Sequence, residues 1–210
     1  MSESLIIIGL GLIGGSLAKA LKATGSTTRI TGIDSAAEAC ELLHDAGAVD
    51  YTYSTMNMEA LQSANVIIIA TPPDSWEMIA GILHSYALPN IALIMDVGSI
   101  KDYANQCFGT LPHYVATHPI AGSEFSGAAF STANLFANKR VILCPESSTN
   151  DADISAAEAF WNGLGMHPNR MDAIEHDRIY TYVSHLPQLV AYSLAYATLG
   201  HDHAGESYLK

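Results

Sequence analysis

Charge is scarce in this chain. Only 14% of its 210 residues are Asp, Glu, Lys or Arg, against about 25% in an average soluble domain. With 49% hydrophobic residues, the chain can build a full core and is not disordered. Cations are scarcest: nine Lys and Arg against 21 Asp and Glu leave a formal charge of −12. That excludes the basic patch which a nucleic acid or an anionic membrane surface requires. Cysteine is also sparse. Cys40, Cys107 and Cys144 are odd in number, widely spaced and free of any CxxC. They exclude a disulfide framework or a zinc ribbon and fit a reducing cytoplasm. No targeting segment is convincing either. Leu5 to Ala18 is apolar, but no Lys or Arg precedes it, and Gly9, Gly11, Gly14 and Gly15 interrupt it. Ile179 to Gly200 lacks Asp, Glu, Lys and Arg and has the length of a membrane span. Its His185, Pro187, Gln188 and several Ser and Thr instead suggest a buried, interface-forming helix.

What is present alternates. Apolar runs at Leu5–Gly9, Arg29–Asp34, Asn65–Ala70, Ile91–Asp96, Tyr114–Thr117 and Lys139–Cys144 read as strands. The helical patterns are Leu12–Thr24, Ala36–Ala46, Asp74–Tyr86 (with Asp74 as N-cap) and Asp151–Leu164. Such alternation predicts βαβ units and an α/β fold with a mostly parallel, doubly wound sheet. A boundary is expected near Met171, because Asp172 followed by Glu175 forms a capping box. From Ala173 a helical pattern runs to about Leu199, roughly 40 Å at 1.5 Å per residue, with a kink expected at Pro187. Residues 1–171 thus read as one unit. Residues 172–210 read as the first helix of an all-helical unit, incomplete as given, whose uncharged face predicts a homodimer.

Gly9, Gly11 and Gly14 have the spacing GxGxxG, between a strand and a helix. Gly9 permits the tight turn, Gly11 lets the backbone approach a pyrophosphate, and Gly14 lets the helix pack on the strand. Leu12 and Ile13 open that helix, whose free N–H groups favour an anion. Asp34 lies about 20 residues beyond Gly14, where a carboxylate accepts from the adenine-ribose hydroxyl and repels a 2′-phosphate. No Arg follows it, so NAD is expected over NADP. Thr71 and Pro72 close a third strand beside the same crevice. These features define a Rossmann-type cofactor unit.

Ser99 follows Asp96-Val97-Gly98, and His118 precedes Pro119 in a stretch continuing through Ser123, Glu124 and Phe125 to Gly127. Pro119 biases His118 toward an extended backbone. His185 lies in the long helix, just before Pro187. Together Gly9–Ser16, Asp96–Lys101, His118–Gly127 and His176–Pro187 resemble the prephenate/arogenate dehydrogenase family of tyrosine biosynthesis. The resemblance covers essentially the whole chain. It implies a Rossmann domain followed by a dimerising helical domain, and NAD(P)-dependent oxidative decarboxylation of a cyclohexadienol. It further implies that His118 is the base for the substrate hydroxyl, an imidazole of ordinary pKa about 6.5 suiting that task. By the same resemblance Ser99 bonds the same hydroxyl or the nicotinamide side, Ser123 and Glu124 stand at the pocket entrance, and His185 lines the pocket. His176 and Asp177 belong to a polar network nearby.

Other readings stand beside these. Ser99 could be an N-cap, with Asp102 three residues on. His176 and Asp177 could be a solvated first helical turn, and His185 a helix histidine bonded to a carbonyl. His201-Asp202-His203 suggests a metal, but alternate residues on a helix do not converge, and none is expected. Gln188 stands where many family members have a second His, and the family's substrate-carboxylate arginine falls beyond Lys210. The rival functions are another two-domain oxidoreductase of hydroxy acids or imines, and a non-catalytic NAD-binding or dimerisation module. Such oxidoreductases often place a catalytic Lys on the long helix, and Ala173–Leu199 has none.

Overall fold

A computed structural model describes residues 4–199. In chain order the strands are β1 (Ser4–Ile8), β2 (Arg29–Ile33), β3 (Tyr51–Tyr53), β4 (Val66–Ile69), β5 (Leu93–Asp96), β6 (Tyr114–Pro119), β7 (Arg140–Leu143) and β8 (His167–Arg170). The helices between and after them are α1 (Leu12–Ala23), α2 (Ala37–Asp45), α3 (Met58–Ser63), α4 (Trp76–Ser85), α5 (Asp102–Phe108), α6 (Asp151–Gly163), α7 (Ala173–Tyr180) and α8 (Leu186–Leu199). They build one eight-stranded sheet of order β3-β2-β1-β4-β5-β6-β7-β8. Strands β1 to β6 are parallel, β7 is antiparallel to β6, and β8 is parallel to β7.

The period of two in each strand divides the core between the sheet's faces. Leu5 and Ile7 of β1 join Ile68, Met95, Val115 and Trp161 on one face. Ile6 and Ile8 join Ile67, Ile69, Ile94, Trp76 and Phe108 on the other. Strands buried on both faces carry continuous apolar runs, which is why β1 and β4 were legible. The order reverses between β1 and β4, and a crevice opens there at the carboxyl ends of the strands. Only a single 3₁₀ turn at Ala128–Phe130 lies between β6 and β7. With no crossover helix, β7 must return antiparallel, which keeps the connecting loop at the crevice.

Four elements carried too little signal. β3 is a three-residue edge strand, and β8 has the sequence HPNR, whose Pro168 suits an edge. α3 has six residues, capped by the Asn57 side chain. α5 has seven, and its cap comes from elsewhere in the chain. The expected Asp74 cap is corrected. Pro73–Ser75 form a 3₁₀ turn and α4 begins at Trp76 without a side-chain cap. Bonds from Ser75 Oγ and Trp76 Nε1 back to Thr71 hold that turn.

Asp172 does cap α7, its carboxylate accepting from the N–H groups of Ile174 and Glu175, both at 3.0 Å. The long helix is continuous to Leu199 but widens into a π turn at Thr181–His185. Pro187 offers no N–H to the carbonyl of Val183, and the wider turn absorbs the missing bond. Among the described residues no helix is long and apolar enough to cross a membrane.

Candidate active site

The crevice at the strand-order reversal is a cleft of about 1120 Å³. One end is built by the glycine turn. Gly9 has φ +97°, and a Cβ there would lie 2.6 Å from the carbonyl oxygen of Ala70. At Gly14 a Cβ would come within 1.9 Å of the Gly9 carbonyl oxygen, so its role is close packing of α1 on the turn, and it does not line the cleft. Gly11 is different: nothing lies within 4 Å of a Cβ placed there, and the residue faces the cleft. No side chain caps α1, so the first N–H groups of the helix remain free for an anion. This cradle fits a dinucleotide diphosphate.

Asp34 is fixed across the turn. Its Oδ2 accepts from Leu10 N at 2.6 Å, and its Oδ1 from Ala36 N at 2.8 Å. Ser54, Thr55 and Met56, which follow β3, and Met78 of α4 and Tyr86 at its end also line the cleft; the first three were missed because β3 was not seen. Thr71 and Pro72 line the middle with Leu12 and Ile13, and Ser99 and His118 line the far end.

His118 is the next-to-last residue of β6, paired with Ile142 of β7, so its backbone is extended as Pro119 requires. Its Nδ1 lies 2.8 Å from Nε2 of His176. Nδ1 of the fully buried His176 lies 2.7 Å from Oδ1 of Asp177. That carboxylate also accepts from the N–H groups of Lys101 at 2.7 Å and Asp102 at 2.9 Å. Asp177 thereby caps α5 from another helix. Ser99, read alternatively as that cap, does not serve as one, and its exposed hydroxyl is left to the cleft. Tyr180 closes the cluster, stacked on His176 at 4.5 Å and edge-on to His118 at 5.1 Å.

Beneath the cluster Lys101 and Asp96 form a wholly buried ion pair. Lys101 Nζ also donates to the carbonyl of Thr117 at 2.7 Å, and Asp96 accepts from the Tyr114 hydroxyl at 2.8 Å. The pair anchors the ends of β5 and β6, and no spacing in the sequence announced it. Burial, followed by the charges of Lys101, His176 and His185, pulls the His118 pKa down to about 3. The expectation of a base titrating near 6.5 is therefore corrected: the ring is neutral across the physiological range. Burial also lowers His176. Although burial acts upward on Asp177, the N–H groups of Asp102 and Lys101 hold it below the usual carboxylate range.

The remaining expected residues lie off the cleft. Ser123 and Glu124 are exposed on the β6–β7 loop, and the Ser123 hydroxyl accepts from Phe125 N at 2.9 Å. Phe125, Ser126 and Gly127 line the cleft in their place. His185 is half-buried in the π turn, off the cleft. No group of three or more His, Cys, Asp or Glu among the described residues could hold a metal ion. His201, Asp202 and His203 lie outside the described residues.

The sheet order and glycine cradle define a Rossmann-type dinucleotide-binding protein. Residues 17–169 match the family model described as prephenate dehydrogenase, nucleotide-binding domain, and the chain belongs to the prephenate dehydrogenase family. It is 34% identical over 203 residues to prephenate dehydrogenase of Bacillus subtilis, covering 94% of this chain and 54% of that protein. To cyclohexadienyl dehydrogenase of Zymomonas mobilis it is 30% identical, covering 95% of this chain and 69% of that one. A structure of Aquifex aeolicus prephenate dehydrogenase, in complex with hydroxyphenyl propionate and NAD+, matches with a TM-score of 0.86 and 28% identity. That match covers 99% of this chain and 73% of the other. The chain spans about half the length of the Bacillus relative.

Proposed function

We propose that this chain is the NAD-binding part of an enzyme of tyrosine biosynthesis that oxidatively decarboxylates prephenate to 4-hydroxyphenylpyruvate, or arogenate to tyrosine. In this reading residues 1–171 form the cofactor unit and residues 172–210 begin a helical substrate and dimerisation unit. The observation that carries it is His118, a neutral histidine on the same cleft as the glycine cradle and Asp34. Bound NAD supplies the hydride acceptor. Gly11 and the N-terminus of α1 would hold its diphosphate, and Asp34 its adenine ribose. His118 takes the proton of the ring hydroxyl as its carbon gives up a hydride and becomes a carbonyl, and returns it to that oxygen as the ring aromatises. The Ser99 hydroxyl orients the same oxygen, and the ring carboxylate leaves as CO2 as the ring aromatises.

The A. aeolicus structure contains NAD+, and the Asp34 carboxylate supports the same choice here. The free thiols of Cys40, Cys107 and Cys144 suit a reducing compartment, and we take the cytoplasm as the site. The apolar residues exposed along the long helix, Tyr182, Val183, Leu189, Val190 and Tyr192 among them, suit a second copy of the chain. Turnover is tested in a turnover-competent form of the enzyme, supplying NAD with prephenate or with arogenate and following NADH and CO2 together. The reading predicts equal amounts of both products from one or both substrates. NADH without CO2 would point to a different hydroxy acid, and neither product from either substrate would remove the assignment.

A further inference from the structure

We infer that Asp177 and His176 are positioning residues that fix the tautomer of His118, leaving its Nε2 bare to accept the substrate proton. The inference rests on His118 being the base. It follows from donor and acceptor bookkeeping along one chain of contacts. An ionised Asp177 can only accept, so the 2.7 Å contact requires a proton on Nδ1 of His176. A neutral His176 then has a lone pair on Nε2, and the 2.8 Å contact to His118 requires that His118 Nδ1 carry the proton. The other nitrogen of His118, Nε2, is the one left without a hydrogen. Free imidazole side chains in water prefer the opposite tautomer, with the proton on Nε2. Without the relay the base would therefore rest mostly in a form that cannot accept.

The surroundings support each link. His176 is fully buried and stacked on Tyr180. The buried ammonium of Lys101 and the ring of His185 both oppose a second proton on either histidine, while Asp177 opposes its loss from Nδ1 of His176. The two N–H groups at the start of α5 keep Asp177 ionised and oriented. Asp177 and His176 sit on α7, the first turns of the helical segment, whereas His118 ends a sheet strand. The competence of the base thus depends on α7 being docked against α5.

The test is long-range 1H–15N correlation on the histidine-labelled chain at neutral pH, with His118 assigned by its loss in His118→Gln. The expected spectrum has a protonated Nδ1 and an unprotonated Nε2 at His118. In His176→Phe, which keeps the Asp177 cap and an aromatic ring against Tyr180, the proton should move to Nε2. A parent His118 with its proton on Nε2 overturns the inference whether or not any variant folds, as does a tautomer unmoved in His176→Phe. In turnover assays, His176→Phe should lower kcat by roughly ten-fold or more while the KM for NAD stays unchanged. A switched tautomer with undiminished kcat would sink the role of His118 as base and leave the relay standing.

Discussion

At His118, burial and the Lys101 ammonium keep the ring neutral, and this has a signed consequence for stability. The unfolded histidine takes up a proton near its ordinary pKa of about 6.5, whereas the folded one resists until about 3. Between those values the unfolded chain binds more protons, so stability falls as pH falls. The contribution has a ceiling of about 1.4 kcal/mol per pH unit. Urea melts between pH 7.5 and 4.5 should show the decline, and His118→Gln should flatten it; an unchanged slope would contradict the assigned environment. Asp34 makes a second residue-scale prediction. NAD should bind at least tenfold more tightly than NADP, and Asp34→Ser should narrow that gap by removing the repulsion of a 2′-phosphate. Calorimetric titration of both cofactors reads it, and a preference for NADP in the parent would refute the role. Gly9, Gly11, Gly14 and Asp34 were legible because short-range spacing encodes their geometry. The contact of His118 with His176, and of Asp177 with the start of α5, joins segments far apart in sequence. Only the fold brings those together.

At the scale of elements, the long apolar strands and the Asp172 cap were legible because a run or a cap is local information. β3, α3, α5 and β8 were not. They are short, and three of them are completed by other parts of the chain: β3 by pairing with β2, β8 by pairing with β7, and α5 by Asp177. The turn from β1 into α1 is tightly packed at Gly14. Gly14→Ala would drive a methyl into the Gly9 carbonyl, 1.9 Å away, and should cost about 3 kcal/mol along with cofactor affinity. Gly11→Ala meets nothing in the protein. It should leave the melting temperature nearly unchanged while weakening NAD binding at least tenfold. Equal stability loss in both variants would show that the Gly11 position is not an open cradle.

For the whole molecule, the doubly wound sheet brings residues from the ends of six strands, β1 to β6, to one cleft, and the helical segment reaches back to it through α7. Beyond the π turn the helix leaves the sheet and exposes Leu189, Tyr192 and Tyr196, more apolar surface than an isolated helix face tolerates. The chain should therefore be a dimer in light scattering at concentrations well above micromolar. Leu189→Glu with Tyr192→Glu should shift it toward monomer without altering NAD affinity. A monomeric parent would contradict the homodimer.

The central claim is that this cleft pairs a bound NAD with a histidine base. It is tested most directly by measuring NAD affinity and kcat with prephenate or arogenate in the same preparation of His118→Asn, made in a turnover-competent form of the enzyme. The account predicts NAD affinity within about twofold of the parent and a kcat lower by roughly 10²–10⁴-fold. A near-normal kcat with only KM raised would make His118 a binding residue and contradict the mechanism.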